Sequence, residues 1–101
     1  MANVAARYAR ALFETGVAEG NNTEVRYGDL LESVVKSIAD IDDFRELLSA
    51  PQVSRDEKKR FLATIFQDSV DEHFRKFLLL LVDKGRMDII ARISLDYKGL
   101  M

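Results

Sequence analysis

The chain has 101 residues, with 15 Lys and Arg against 17 Asp and Glu, so its net charge is −2 and its length suits one domain rather than two. With 48% hydrophobic and 32% charged residues it has the apolar mass for a core, and it lacks the excess of positive charge that marks a nucleic-acid binder. There is no cysteine, which removes disulfides, thiolate metal sites and Cys nucleophiles, and the single histidine, His73, removes His-pair metal sites.

In chain order the sequence reads as six helices with short joints. Helix 1 is predicted from about Val4 to Glu19, ended by Gly20 as a left-handed cap. Asn22 or Thr23 is the expected cap of helix 2, from about Glu24 to Asp40. There Tyr27, Leu30, Leu31, Val34, Val35, Ile38 and Ile41 recur at intervals of mostly three and four and make one face. Asp40 or Asp42 caps a short helix 3, from about Asp43 to Ser49, which Pro51 ends. Ser54-Arg-Asp-Glu57 is a capping-box pattern opening helix 4, with Phe61, Leu62, Ile65 and Phe66 inward. Ser69-Val-Asp-Glu72 repeats that pattern and opens helix 5, which ends near Lys84-Gly85. Helix 6 follows from about Arg86 to Tyr97, with Ile89, Ile90, Ile93 and Tyr97 on one side. No segment alternates with the period of two that a strand requires, so the expected fold is all-α, a compact six-helix bundle occupying residues 1–101.

The chemistry-bearing residue types form no catalytic pattern. A calcium loop begun at Asp42 needs glycine at its sixth position, where Leu47 stands, so Asp40, Asp42 and Asp43 read as helix caps. Arg55, Lys58, Lys59 and Arg60 are interrupted by Asp56 and Glu57, which describes a solvated face. His73 has Lys76 and Phe77 at i+3 and i+4, so no second ligand accompanies it, and no two glycines stand in phosphate-loop spacing. A non-catalytic protein without metal or cofactor is therefore expected. The N-terminus lacks the pattern of a secretory leader, and the longest apolar run, Phe77 to Val82, is six residues against the ~18–20 that span a bilayer. An intracellular chain without membrane insertion follows as an expectation, and Asn21-Asn22-Thr23 reads as a polar loop.

Two helices carry more apolar residues than one core contact needs. On helix 1, Ala5, Ala6, Ala9, Leu12 and Phe13 form one broad side, and Val4, Tyr8, Ala11 and Thr15 form a second line beside them. Only Arg7, Arg10 and Glu14 hold the polar side, so the weakly polar arc is roughly 240° at 100° per residue. On helix 5, Val70, Phe74, Leu78, Leu81 and Val82 make the core stripe. Leu80 lies off it on the flank of His73, Lys84 and an edge of Phe77, and Leu79 lies nearly opposite. Such a surplus marks either a helix buried on all sides or a surface for a partner. The small residues of helix 1 and the flat ring of Tyr8 suit an approaching amphipathic helix laid between helices 1 and 5.

Four stretches also carry a family resemblance. Ala6-Arg-Tyr-Ala-Arg-Ala-Leu-Phe-Glu14 resembles the opening of the delta subunit of F-type ATP synthase, the oligomycin-sensitivity-conferring protein of mitochondria. In register with it follow Phe44-Arg-Glu-Leu-Leu-Ser-Ala-Pro51 with Glu57-Lys58, then Phe74-x-x-Phe-Leu-x-Leu-Leu81, then Asp83-Lys-Gly-Arg86 with Ile90, Ile93 and Tyr97. The resemblance implies the family's N-terminal domain, a six-helix bundle on top of the catalytic head that holds the N-terminal helix of an alpha subunit in a groove of its first and fifth helices. It implies a stator role resisting rotation, at the cytoplasmic face of a bacterial inner membrane within a peripheral complex. Tyr8, Ala11 and Leu80 match the family's groove positions, and helical geometry extends the partner-binding set to Val4, Leu12, Thr15, Phe77 and Lys84. The family protein is about twice this long, and the resemblance implies that contact with the b-type stalk belongs to a C-terminal domain, so none is expected from these 101 residues. Gly16 departs from the family's usual alanine at a propensity cost of about 1 kcal/mol, an expected loosening of helix 1's last turn. The competing reading is a generic helical adaptor that binds an amphipathic helix in another complex.

Overall fold

Asn3 opens the first helix: its backbone is extended and its side-chain oxygen accepts a 2.7 Å hydrogen bond from the Ala6 N–H, one of the donors that a helix start leaves unpaired. From there the computed structural model describes residues 3–40, 42–66 and 71–101, the side chains of 44 and 64–66 excepted. Among these residues there are six α-helices and no strand, so the chain is all-α. They are α1 (Val4–Glu19), α2 (Thr23–Asp40), α3 (Asp42–Ser49), α4 (Arg55–Phe66), α5 (Glu72–Asp83) and α6 (Ile90–Leu100), the last preceded by a 3-10 turn at Met87–Ile89. The expectations at Ile41, Ser69 and Val70, and for the inward side chains of Ile65 and Phe66, lie outside the described residues. The chain divides into two units, one of residues 1–36 with 89–101 and one of residues 37–88.

In the first unit, α1 buries one narrow row, Ala5, Ala9, Leu12 and Gly16, and α6 buries Ile90, Ile93, Ser94 and Tyr97. Tyr97 is the hub. Its ring meets Phe13 edge to face at 5.7 Å, it lies beside Gly28 of α2, and its hydroxyl donates to the Glu24 carbonyl at 2.5 Å. Burial, with the Glu24 carboxylate adding to it, pushes the phenol up to about 12. The joint between α1 and α2 is tighter than the sequence suggests. A Cβ on Gly16 would stand 2.7 Å from Glu24 Cα and 2.8 Å from Glu24 N, so the missing side chain is what lets the start of α2 lie against α1. Gly16 is thus a packing requirement here and not a loosened turn.

Gly20, Asn21 and Asn22 all take positive φ, at 78°, 56° and 61°. Gly20 combines that φ with ψ −171°, so it needs glycine without adopting the left-handed helical well expected of it. Asn22 lacks the extended backbone of a side-chain N-cap. Thr23, expected as the other candidate cap, is already the first residue of α2, and its buried hydroxyl donates to the Gly20 carbonyl at 2.6 Å.

The second unit has an aliphatic and phenylalanine core. Leu48, Leu62, Phe74, Phe77, Leu78, Leu81, Val82 and Met87 are buried, and Lys59 of α4 pairs with Asp83 of α5. Ser54 accepts from the Glu57 N–H at 3.1 Å, the Ser half of the anticipated capping box. At α5 the cap is Asp71, whose carboxylate accepts from the His73 N–H at 2.8 Å, and the helix starts at Glu72. Its end is a Schellman turn. The Arg86 N–H donates to the Leu81 carbonyl at 2.7 Å and the Gly85 N–H to that of Val82 at 3.1 Å, with Gly85 at φ 65°. After it the chain makes a 3-10 turn before α6, which runs past Gly99 to Leu100 and so ends later than the apolar pattern indicates.

Candidate functional site

On α1 the buried row is flanked by two shoulders with different fates. At 100° per residue, Ala6 and Phe13 lie on one side of it, and Val4, Tyr8, Ala11 and Thr15 on the other. The first shoulder meets α6, through the contact of Phe13 with Tyr97. On the second, Val4, Tyr8 and Thr15 are half-buried and Ala11 is exposed. Thr15 spends its hydroxyl on the Ala11 carbonyl one turn back, at 2.9 Å, so the polar atom is satisfied within the helix. The shoulder therefore presents an isopropyl group, an aromatic ring and two methyls, with few polar groups of its own. Within this chain helix 1 is therefore not buried on all sides. Leu12, by contrast, is 3% exposed and belongs to the core row.

On α5, Phe77, Leu80 and Lys84 share an edge at i, i+3 and i+7. Phe77 is buried and packs at 6.3 Å from the Phe74 ring, whereas Leu80 is 42% exposed and Lys84 is exposed. Leu79, which a regular projection puts furthest from the core stripe, is half-buried, so the chain covers that flank more than Leu80. Of the eight residues in the candidate set, four share the α1 shoulder, three share the α5 edge, and Leu12 lies beneath the α1 shoulder.

Four exposed large apolar side chains escaped the sequence reading, Val25 of α2 at 41% the least exposed of them. Val17 is 52% exposed, Leu95 of α6 62% and Met101 60%. Leu95 was legible in principle, because it stands off the 90, 93, 94, 97 stripe of its helix. The second unit also holds a cavity of about 280 Å³, lined by Leu48, Arg55, Lys58, Leu81, Val82 and Asp88 among others. Its cations and its carboxylate oppose one another, so it shows no single charge preference. Among the described residues no three His, Asp or Glu side chains converge on a metal-sized space, and no helix is long and apolar enough to cross a membrane.

Comparison with known proteins gives these surfaces a context. The family model for the ATP synthase delta (OSCP) subunit matches residues 4–101. "ATP synthase subunit delta" of Clostridioides difficile is 42% identical over 99 residues, which are 97% of this chain and 54% of that protein. Its counterpart in Gloeothece citriformis is 33% identical over 98 residues, 97% of this chain and 52% of that one. The chain spans about half the length of the curated relatives it matches. Among solved structures, a chain from the cryo-EM structure of the Polytomella F-ATP synthase, refined on the F1 head and rotor, superposes over the whole of this chain and 88% of its own length. The TM-score is 0.90 at 20% identity, a likeness of fold.

Proposed function

The chain belongs to the ATP synthase delta (OSCP) subunit family, and on that premise we propose that it is a stator component that holds the amphipathic N-terminal helix of an alpha subunit on the surfaces of α1 and α5. Rotary catalysis exerts torque on the head, and a stator must keep the head from turning with the rotor. The chain contributes to that by tight binding, with no chemistry of its own. Contact with the b-type stalk falls to the half of the relatives that this chain does not match, and association with the membrane is peripheral, through the complex, at the cytoplasmic face of a bacterial inner membrane.

The observation that carries the reading is the second shoulder of α1. Val4, Tyr8, Ala11 and Thr15 form an apolar row that the chain's own core leaves half-covered, and Leu80 offers an exposed large apolar side chain on α5. Small residues let a partner backbone come close, and the apolar area removed from water supplies ~25 cal/mol per Å² before the costs of association are subtracted. Tyr8→Asp and Leu80→Asp each place a charge in that contact. Both are expected to abolish binding of a cognate alpha-helix peptide in calorimetry while the circular dichroism spectrum and urea midpoint stay near wild type. Wild-type affinity in both folded variants contradicts the assignment. Equal affinity for unrelated amphipathic helices replaces it with the generic adaptor.

A further inference from the structure

Three helix ends meet in the second unit. Helix α3 stops at Ser49, just before Pro51, α4 starts at Arg55 and α5 stops at Asp83. Helix ends do not interdigitate as helix flanks do, because the ridges of side chains that fill a neighbour's grooves stop there. The cavity of about 280 Å³ lies at these ends, and its lining divides by chemistry. Leu48 of α3, Leu81 and Val82 of α5 and Met87 of the 3-10 turn are buried and make an apolar wall. Arg55 and Lys58, at i and i+3 on the first turn of α4, bring positive charge to the rim, and Asp88 brings negative charge. Ser49 and Gly85 complete the lining, but the Ser49 hydroxyl donates to the Arg45 carbonyl at 2.7 Å and the Gly85 N–H to that of Val82. Exposed charges are common on this chain. What distinguishes these is that both signs border one cavity whose remaining wall is apolar.

A neutral apolar molecule would use the wall and leave the rim unanswered. A simple carboxylate would answer Arg55 and Lys58 but add a like charge near Asp88, and an amine would do the reverse. A zwitterion answers both signs at once. We propose that the cavity is a binding site for a free α-amino acid with a branched aliphatic side chain, independent of the partner surface on α1 and α5. The side chain lies against Leu48, Leu81, Val82 and Met87, the carboxylate faces the first turn of α4, and the ammonium faces Asp88. At the carboxylate end the guanidinium of Arg55 can offer a paired fork of donors, and the start of α4 adds its partial positive charge. The volume lies just below the ~300 Å³ at which sites for drug-sized ligands begin, which suits a molecule of about eight or nine non-hydrogen atoms. Such a ligand would tie the three helix ends together and stabilise the folded chain by mass action.

The test is a titration of the chain with leucine, followed by backbone amide shifts in nuclear magnetic resonance. It runs to ~20 mM, because a ligand of about nine non-hydrogen atoms reaches a Kd on the order of 1 mM. Leucine is expected to shift the amides of Ser49, Arg55, Val82, Gly85 and Asp88 saturably and to leave those of α1 in place. Isocaproate lacks the amine, isopentylamine lacks the carboxylate and glycine lacks the side chain, and each is expected to bind at least ~fivefold more weakly. The side chains of Arg55 and Asp88 are exposed, so Arg55→Gln and Asp88→Asn spare the core, and each is expected to weaken leucine about three- to tenfold. Asp88→Asn is further expected to narrow the advantage of leucine over isocaproate, and Arg55→Gln its advantage over isopentylamine. Isocaproate or isopentylamine binding wild type as tightly as leucine overturns the zwitterion. No saturable shift while the chain remains folded, or saturable shifts confined to residues away from the cavity, overturns the site.

Discussion

Helices α1 and α5 both hold more apolar residues than one core contact uses, yet they dispose of the surplus in different ways. Helix α5 is made of large side chains and buries almost all of them: Phe74, Phe77, Leu78, Leu81 and Val82 are in the core and only Leu80 stands well into solvent. Helix α1 mixes alanines and a glycine with Val4, Tyr8, Leu12 and Phe13, buries a single row of Ala5, Ala9, Leu12 and Gly16, and leaves the adjacent row half-covered. Large side chains reach around a helix and find cover, whereas alanines and a glycine admit a neighbour's backbone on one side only. The lesson is that a count of apolar residues measures two different things. On α5 it measures core volume, and on α1 it measures how closely another helix can come.

That comparison can be broken from either end. The largest expected effect is on α5, where Phe74→Ala opens a cavity in a fully buried site and costs about 3–5 kcal/mol, read as a lower urea midpoint. An effect below 1 kcal/mol there would show that α5 is not the volume-bearing helix. On α1 the corresponding change runs the other way in size. Gly16→Ala improves helix propensity by about 1 kcal/mol but drives a methyl into the Glu24 backbone, and a net loss of roughly 1–2 kcal/mol is expected. A more stable Gly16→Ala variant would mean that α1 does not depend on close approach.

The smallest effect sharpens the account of the shoulder that α1 keeps covered. Tyr97→Phe retains the ring against Phe13 and removes the hydrogen bond to the Glu24 carbonyl, at a cost of about 0.5–1.5 kcal/mol near neutral pH. Because the folded phenol titrates at about 12 and the unfolded one near 10, the native state holds the proton more tightly. Its contribution is complete below pH 10 and is lost as the pH rises from 10 to 12. The wild-type urea midpoint is therefore expected to fall more steeply over that interval than the midpoint of Tyr97→Phe. Parallel profiles would show that the Tyr97 phenol is not buried as described.

Much of the fold was legible in the sequence because helix ends are local chemistry. Val4, Glu19, Asp40 and Ser49 are all true boundaries, and Ser54 and Gly85 serve as cap and turn as their residue types suggest. The misses are also local, but they depend on choices among neighbours. At α5 the capping carboxylate is that of Asp71, a choice the pattern did not make, and Thr23 turned its hydroxyl back to Gly20. Gly16 was unreadable in a different sense. A propensity scale counts glycine as a loss, and only the approach of Glu24, eight residues away, turns it into a requirement.

The candidate site was legible in outline, as a surplus on two helices, and less so residue by residue. A regular projection places Leu12 next to the second shoulder of α1 and leaves an edge of Phe77 open, but it cannot know how far each side chain sinks. In the structure both are core residues, and the exposed members of the set are Ala11, Leu80 and Lys84, with Val4, Tyr8 and Thr15 between. What separates these cases is cover supplied by neighbouring parts of the chain, which periodicity along one helix does not encode.

The central claim is that the half-covered row of α1 is built for a helix of an alpha subunit. Its most direct test is calorimetric titration of the chain with a ~20-residue cognate alpha N-terminal peptide, beside a scrambled peptide of equal composition. The account predicts saturable binding with a negative heat-capacity change for the cognate peptide alone. Equal heats from cognate and scrambled peptides, or no heat from either while the chain remains folded, would contradict it.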